Sequence, residues 1–494
     1  MRIIRLFALP LFCLLLHFFA FGQADTLRFS LSNIVALAQS EAPNTLLAET
    51  RLTNRYWFFQ SILADYRPQI SFTGELPDLN RSIDIITLPN GNSTFIPRSQ
   101  VRNSVGLSIQ QQIRQTGGTV FVSSSLQRLD IFQTDQSNIV SYFTTPVSIG
   151  FSQPLFGFNV LKWNKKIEPL RYQEATKEYA QQMEDVAYEA ADLFFDVFIA
   201  QLNLEAARKD KANADTLFEI SKGRFEVGRI AETELLQIEL SAMNGDANVA
   251  QALLDLQSST ESLRNYLGIT TASYFKLSPP TEIPQFSVDA ERALSAALQN
   301  RSEVVSFERR LLEAQQEIAR AKANSGFTFD ITGQFGLSQT GDKLSNAYQN
   351  PLDNERVRVG LTVPLADWGK AKSRLEVAKS NQDLERMNVE QERVNFERDI
   401  LLKVLQFDLV RNQVSLARRA YEVSIKRQEI TRDRYYVGKI GITDLNIAVT
   451  EQEAARRSYM NALRAFWLAY YDLRRITLYD FERGVSLVRR PEGF

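Results

Sequence analysis

The chain has 494 residues, and its 57 Lys and Arg against 58 Asp and Glu leave no net basic field for nucleic acid. Its one histidine, His17, and its one cysteine, Cys13, both lie within the first 24 residues. If that segment is removed, the chain has no imidazole base, no thiolate nucleophile, no disulfide and few ways to build a zinc site, while carboxylate-only chemistry remains possible.

The opening MRIIRLFALPLFCLLLHFFAFGQAD places Arg2 and Arg5 before an apolar run from Leu6 to Phe21, with Gly22 and Ala24 at small-residue positions. This reads as a signal peptide over residues 1–24, cleaved after Ala24. The run is shorter than the roughly 20 residues that span a bilayer as a helix. Phe12 before Cys13 stands where a lipidation signal needs a small residue. No later segment approaches 18 uncharged apolar residues, so an exported chain that crosses a membrane must do so as strands.

Residues 25–266 form a first structural repeat, opening with a helix expected over 30–66 and a strand region over 68–155. There Ile70, Phe72, Gly74 and Leu76 alternate with Gln69, Ser71, Thr73 and Glu75. One apolar face against one small or polar face fits a barrel with lipid outside and water inside, and equally a half-buried soluble sheet. The stretch SVGLSIQQQIRQTGGTVFVSSSLQ, 104–127, reads as an added hairpin around Gly117 and Gly118.

A long helix follows over 160–226, with Pro169 its one proline. Tyr179, Met183, Val186, Ala190, Leu193, Val197, Ala200, Leu204 and Ala207 recur at alternating spacings of four and three, a heptad seam. At 1.5 Å per residue such a helix is roughly 100 Å long, too long for a compact globular domain. It ends in RFEVGRIAETELL, where Gly228 reads as a left-handed cap that reverses the chain into a return helix over 231–266, with Thr233 as its expected N-cap. Residues 267–290, with their prolines, read as a linker.

The second repeat, 291–480, is expected to carry a helix over 291–324, strands over 327–337 and 356–365, a long helix over 370–436 and a return helix over 442–476, before a tail over 481–494. Its strands alternate as well, with Phe327, Phe329, Ile331, Gly333 and Phe335 on one face and Val357, Val359, Leu361, Val363 and Leu365 continuing it. Its long helix keeps the seam at Phe396, Ile400, Phe407, Val410, Val414, Ala417, Tyr421 and Ser424, broken at Lys403.

The two halves align. At a shift of 210, VSIGFSQPLFGFN (147–159) lies on VRVGLTVPLADWG (357–369), and the first tip lies on RYYVGKIGITDLN (434–446). Ile220, Arg224, Val227, Gly228, Ile230, Thr233 and Leu235 match Ile430, Arg434, Val437, Gly438, Ile440, Thr443 and Leu445 identically. Upstream the shift becomes 259, so the first copy holds 49 more residues between 74 and 147, enough for it to supply four strands and the second copy two.

This order, with the R-x-x-V-G tips at Arg224, Val227, Gly228 and Arg434, Val437, Gly438, each followed by Thr and an acid–Leu pair (Thr233, Glu234, Leu235; Thr443, Asp444, Leu445), resembles the TolC-like outer membrane efflux proteins. SQPLFGFN resembles their strand-to-helix joint. The resemblance implies an α+β membrane protein: a homotrimer whose strands close one outer membrane β-barrel in lipid, continued by a periplasmic α-helical barrel. It implies a passive export duct without cofactor, metal or catalysis, docked at its hairpin tips by a periplasmic adaptor (membrane fusion) protein and driven by an inner membrane RND or ABC transporter. It also implies a periplasmic gate at Asp444, with Tyr435 holding the mouth closed. The family's second acid, one turn later, is Ile447 here, so only a single aspartate ring carries over.

Two other classes compete with this reading. A periplasmic coiled coil, such as an adaptor itself, would share the helices but has no reason to set Phe327, Phe329, Ile331 and Phe335 beside a water-facing row. An outer membrane enzyme lacks any Gly-flanked serine elbow or Asp-rich cluster on which to build.

Overall fold

The computed structural model describes residues 27–133, 137–270, 275–278, 280 and 283–488. The expected cleavage site at Ala24 lies outside them. In chain order the elements are β1 (Leu27–Phe29), α1 (Leu31–Glu41), α2 (Pro43–Ala64), β2 (Gln69–Thr87), β3 (Ser93–Gln112), β4 (Thr119–Phe132), β5 (Ile139–Leu155), α3 (Val160–Glu226), α4 (Glu232–Tyr266), β6 (Phe275–Leu277), α5 (Ala290–Asn300), α6 (Ser302–Ala323), β7 (Thr328–Gly341), β8 (Leu352–Thr362), α7 (Lys370–Tyr436), α8 (Ile442–Thr477), β9 (Tyr479–Asp480) and β10 (Val485–Ser486). The chain divides into two units, one holding residues 1–48, 181–293 and 401–487, the other 49–180, 294–400 and 488–494.

Several expected boundaries move, each for a local reason. The helix expected over 30–66 is two helices, because Pro43 has no N–H to continue a helix and serves as the first residue of a new one. The helix expected over 291–324 is likewise two, parted at Arg301, whose extended backbone (φ −73°, ψ 145°) caps α6. Pro169 lies inside α3 without ending it. β7 and β8 reach past the expected 337 and 356 into the turn, since the ladder pairs Leu337 with Asp353 and Ser338 with Leu352. Backbone pairing continues there after the apolar alternation has stopped. At the other end β8 stops at Thr362, shortly before Pro364, which has no N–H to donate. The linker is not wholly irregular: β6 pairs in parallel with β1, and the Gln201 amide donates to the Phe275 carbonyl and accepts from Leu277 N–H at 3.2 Å.

The second unit holds a six-stranded sheet ordered β2-β3-β4-β5-β7-β8 and antiparallel throughout. The first copy supplies four strands and the second two, and the β3–β4 hairpin is an integral part of the sheet. Its turn closes with Gly117 at φ +75° and Ile113 N–H donating to the Gly118 carbonyl. One sheet face is both apolar and exposed: Ile70 (70%), Phe72 (72%), Val357 (65%) and Leu361 (60%) have no cover within the chain. β2 and β8 form the two open edges. Among the described residues no helix is long and apolar enough to cross a membrane.

The first unit buries one face of α3. Val186, Ala190, Val197, Ala200 and Leu204 of the heptad seam are buried, and Ala187, Ala191, Phe194, Phe195 and Phe198 widen it. α8 docks here with aromatic and ionic contacts: Phe466 meets Phe407 of α7 at 5.6 Å, and Arg464 pairs with Asp192 at 2.6 Å and Asp196 at 2.7 Å. Arg474 grips buried Glu184 with two hydrogen bonds of 2.9 and 3.0 Å. Burial pushes the Glu184 carboxyl up and Arg474 opposes it, while the guanidinium itself is held more firmly charged. Lys403, the break in the second seam, pairs with Asp472 at 2.8 Å.

Candidate functional site

Both long helices end in the same six-residue cap. In the first copy Gly228 N–H donates to the Phe225 carbonyl at 2.8 Å and Arg229 N–H to the Arg224 carbonyl at 2.9 Å. In the second, Gly438 N–H donates to Tyr435 at 2.9 Å and Lys439 N–H to Arg434 at 3.0 Å. This pairing occupies two of the free carbonyls at each helix end and needs a left-handed residue, supplied by Gly228 (φ +70°) and Gly438 (φ +72°). The R-x-x-V-G spacing is therefore the spacing of the cap, with Arg two residues before the last helical residue, Val just after it and Gly in the left-handed position that follows. A Cβ built on either glycine would meet no atom within 4 Å, so conformation, not crowding, requires glycine.

The return helices begin at Glu232 and Ile442, within a residue of the expected starts, but their N-caps fall two residues before the expected threonines. Ala231 and Gly441 occupy the N-cap positions with extended backbones and no side-chain cap, and Thr233 and Thr443 fall inside the first turns. By Thr233 and Thr443 the backbone is already helical, so neither threonine can serve as the cap. Asp444 therefore sits in the first turn of α8 and is exposed, where a carboxylate complements the positive end of the helix. Glu232 and Glu234 hold the matching turn of α4.

The two tips are brought together. Tyr435 is 3% exposed and packs with Ile238 of α4 and with Ile442 and Leu445 of α8, bordered by Leu217, Phe218, Ile440 and Val449. Arg224 of the first tip lies over the Tyr435 ring at 5.6 Å and donates to the Tyr436 carbonyl at 3.4 Å. Val227 and Val437, by contrast, are 68% and 67% exposed, and Arg434 is exposed. The tip thus presents an outer surface of valines and Arg434 over an inner latch of Arg224 on Tyr435. Nothing in the sequence paired Arg224 with Tyr435, because they come from different copies of the repeat. Among the described residues no group of carboxylates is placed to hold a metal ion.

The family model for outer membrane efflux proteins matches residues 122–269 and 293–477. The chain is 26% identical over 313 residues to the outer membrane protein TolC of Vibrio cholerae serotype O1, which covers 61% of this chain and 69% of that protein. In fold it is similar to the CmeC outer membrane channel of Campylobacter jejuni, with a TM-score of 0.66 at 15% identity over 92% of this chain and 87% of that one. It is similar too to the open-state MtrE outer membrane channel of Neisseria gonorrhoeae, with a TM-score of 0.61 at 14% identity over 92% and 90%.

Proposed function

The chain belongs to the outer membrane efflux protein family, and from that membership we propose that three copies close one barrel and form a passive export duct, met at its periplasmic mouth by an adaptor and an inner membrane pump. The observation that carries this reading is the sheet, with one largely exposed apolar face and two open edges, β2 and β8. In lipid an unpaired strand edge has no water to satisfy it, so such a sheet must close on itself or on copies of itself. With six strands per copy, β2 and β8 run in opposite directions, and β8 of one copy can pair antiparallel with β2 of the next. Three copies give eighteen strands.

The tips supply the docking surface and the gate. Val227, Val437 and Arg434 form the adaptor-facing surface, and Gly228 and Gly438 hold it in shape. Arg224 on Tyr435 ties the two hairpins of one copy together and favours a narrow mouth. Three Asp444 carboxylates near the axis would make that mouth attractive to cations and open to block by divalent ions. Nothing in this reading uses a cofactor or a reacting residue. Single-channel recording tests it. Purified protein in a planar bilayer should conduct, divalent cations should block it, and Asp444→Ala should weaken the block. Failure to conduct would refute the duct, and identical block in the variant would refute the gate.

A further inference from the structure

β2 and β3 are longer than the rest of the sheet. β3 pairs with β4 only as far as Ser99 opposite Phe132, so residues 82–98 form a two-stranded ribbon beyond it. Strands that span an outer membrane need about 9–11 residues, whereas β2 has 19 and β3 has 20. The exposed apolar face of the sheet ends where Arg128, Asp130, Asp353 and Glu355 take up the outward positions opposite Asn103, Val101, Leu337 and Phe335. It resumes at Leu79, at the base of the ribbon, at Phe132 of β4 opposite Ser99, and along the ribbon itself. A register shift between Glu75 and Asp78 moves the outward positions of β2 from even to odd numbers, so that Leu79, Ile83 and Ile85 stay on the side of Ile70 and Phe72. Opposite them on β3 stand Val101, Pro97 and Phe95. Leu79 (60%), Ile83 (71%), Ile85 (65%) and Phe95 (70%) are among the most exposed apolar residues of the chain.

One cation lies within this face. Arg81 is exposed and donates to Ser99 Oγ at 3.2 Å, and among the described residues no carboxylate pairs with it. On the reverse face Arg98 is paired with Asp84 at 3.2 Å, beside Asn80, Ser82 and Gln100, with Ile86 and Ile96 only at the tip. An isolated two-stranded ribbon is barely stable in water, so this one needs cover on its apolar side. Its neighbours in the trimer cannot supply it. Ribbons would recur every six strands, and at about 5 Å per strand they stand roughly 30 Å apart, with their apolar faces outward. A partner adding a strand to β3 would meet Pro97, which has no N–H to offer.

We propose that the distal β2–β3 ribbon is a lipid-binding element of the outer leaflet, laying Leu79, Ile83, Ile85 and Phe95 against the membrane surface and presenting Arg81 to the phosphate of an anionic lipid headgroup. The inference rests on the barrel reading above, since that reading makes the adjoining rows of the same face lipid-facing. Arg81 then meets an anion at the depth where acyl chains give way to headgroups, as an unpaired arginine beside isoleucines requires.

The mature chain is expected to contain no cysteine, so single cysteines can be labelled cleanly. The full-length trimer would carry bimane at Ile85→Cys, Phe95→Cys, Asp84→Cys or Val359→Cys. Each would be reconstituted into phosphatidylcholine vesicles with or without a phosphate-bearing glycolipid, and assembly checked by unheated gel migration. Labels at 85 and 95 should be quenched by brominated lipid and shielded from iodide several-fold more than the label at 84. The glycolipid should increase the shielding, and Arg81→Glu should abolish that increase. A label at 85 as open to iodide as the label at 84, with the label at 359 still quenched by lipid, would overturn the proposal and leave the barrel intact. Shielding indifferent to both glycolipid and Arg81→Glu would overturn the phosphate contact, and a label at 359 that lipid does not quench would overturn the barrel reading itself.

Discussion

At single residues, the tip glycines and one carboxylate make separable claims. Because a side chain at Gly228 or Gly438 would strike nothing, a substitution there costs only the left-handed backbone, about 1–2 kcal/mol for an ordinary residue and less for Asn. Gly438→Val should therefore fray the cap and weaken crosslinking to the adaptor, and Gly438→Asn should retain most of it; equal loss in both would show that the glycine serves contact rather than conformation. Asp210 of α3 is a different case. Burial first, and then Glu453 of α8, push its carboxyl up to about 6, against the pull of Arg456 and Lys209. The folded chain then holds that proton more tightly than the unfolded chain does, so the stabilisation is complete below the ordinary carboxyl range and is lost as pH rises through 6. Asp210→Asn should melt higher than the parent protein at pH 7.5 and converge with it near pH 4. A difference in melting temperature that does not change between pH 4 and 7.5 would count against this account.

Among elements, α7 shows how much the sequence could tell. Its seam is buried at Ile400, Phe407 and Val414, and a strict four-three alternation makes such a face legible without a structure. A second row on the same helix is exposed: Leu402 (49%), Leu409 (58%), Leu416 (73%), Val423 (52%) and Ile430 (61%), seven residues apart. A heptad row in water asks for another helix, and in the proposed assembly a neighbouring copy supplies it. Leu409→Glu with Leu416→Glu should lower the temperature at which the trimer falls apart to monomers on a gel without changing helix content by circular dichroism, and a trimer that dissociates at the parent temperature would reject this interface. Other features were not legible. The upper strand ends lay hidden because Gln339, Asp353 and Glu355 break the apolar alternation while their backbones still pair. The breaks at Pro43 and Arg301 lay inside runs that were otherwise helical. At the tip, R-x-x-V-G could be read as a cap, but the closure of Arg224 over Tyr435 depends on how two distant hairpins pack, which no local pattern encodes.

For the whole molecule, the open edges turn the count of copies into a geometric test. β8 has eleven residues and β2 nineteen, so a neighbour's β8 can pair along only the proximal part of β2 and leaves the ribbon free. Outward side chains must stay outward across the seam, because a one-residue slip would turn Val357, Val359 and Leu361 into the lumen. Phe72→Cys combined in turn with Val357→Cys, Val359→Cys or Leu361→Cys should yield disulfides for the register that places the two outward rows side by side. Pairing each cysteine with Arg358→Cys, on the lumen side, should yield none. Oxidation should produce a ladder that ends at three chains. A ladder ending at two would require twelve strands from two copies, and no ladder with any partner would mean that β2 and β8 close within one chain, six strands around a lumen too narrow to conduct. The three outcomes thus separate a duct of eighteen strands, a narrower dimeric barrel and a closed monomer by a single measurement of mass.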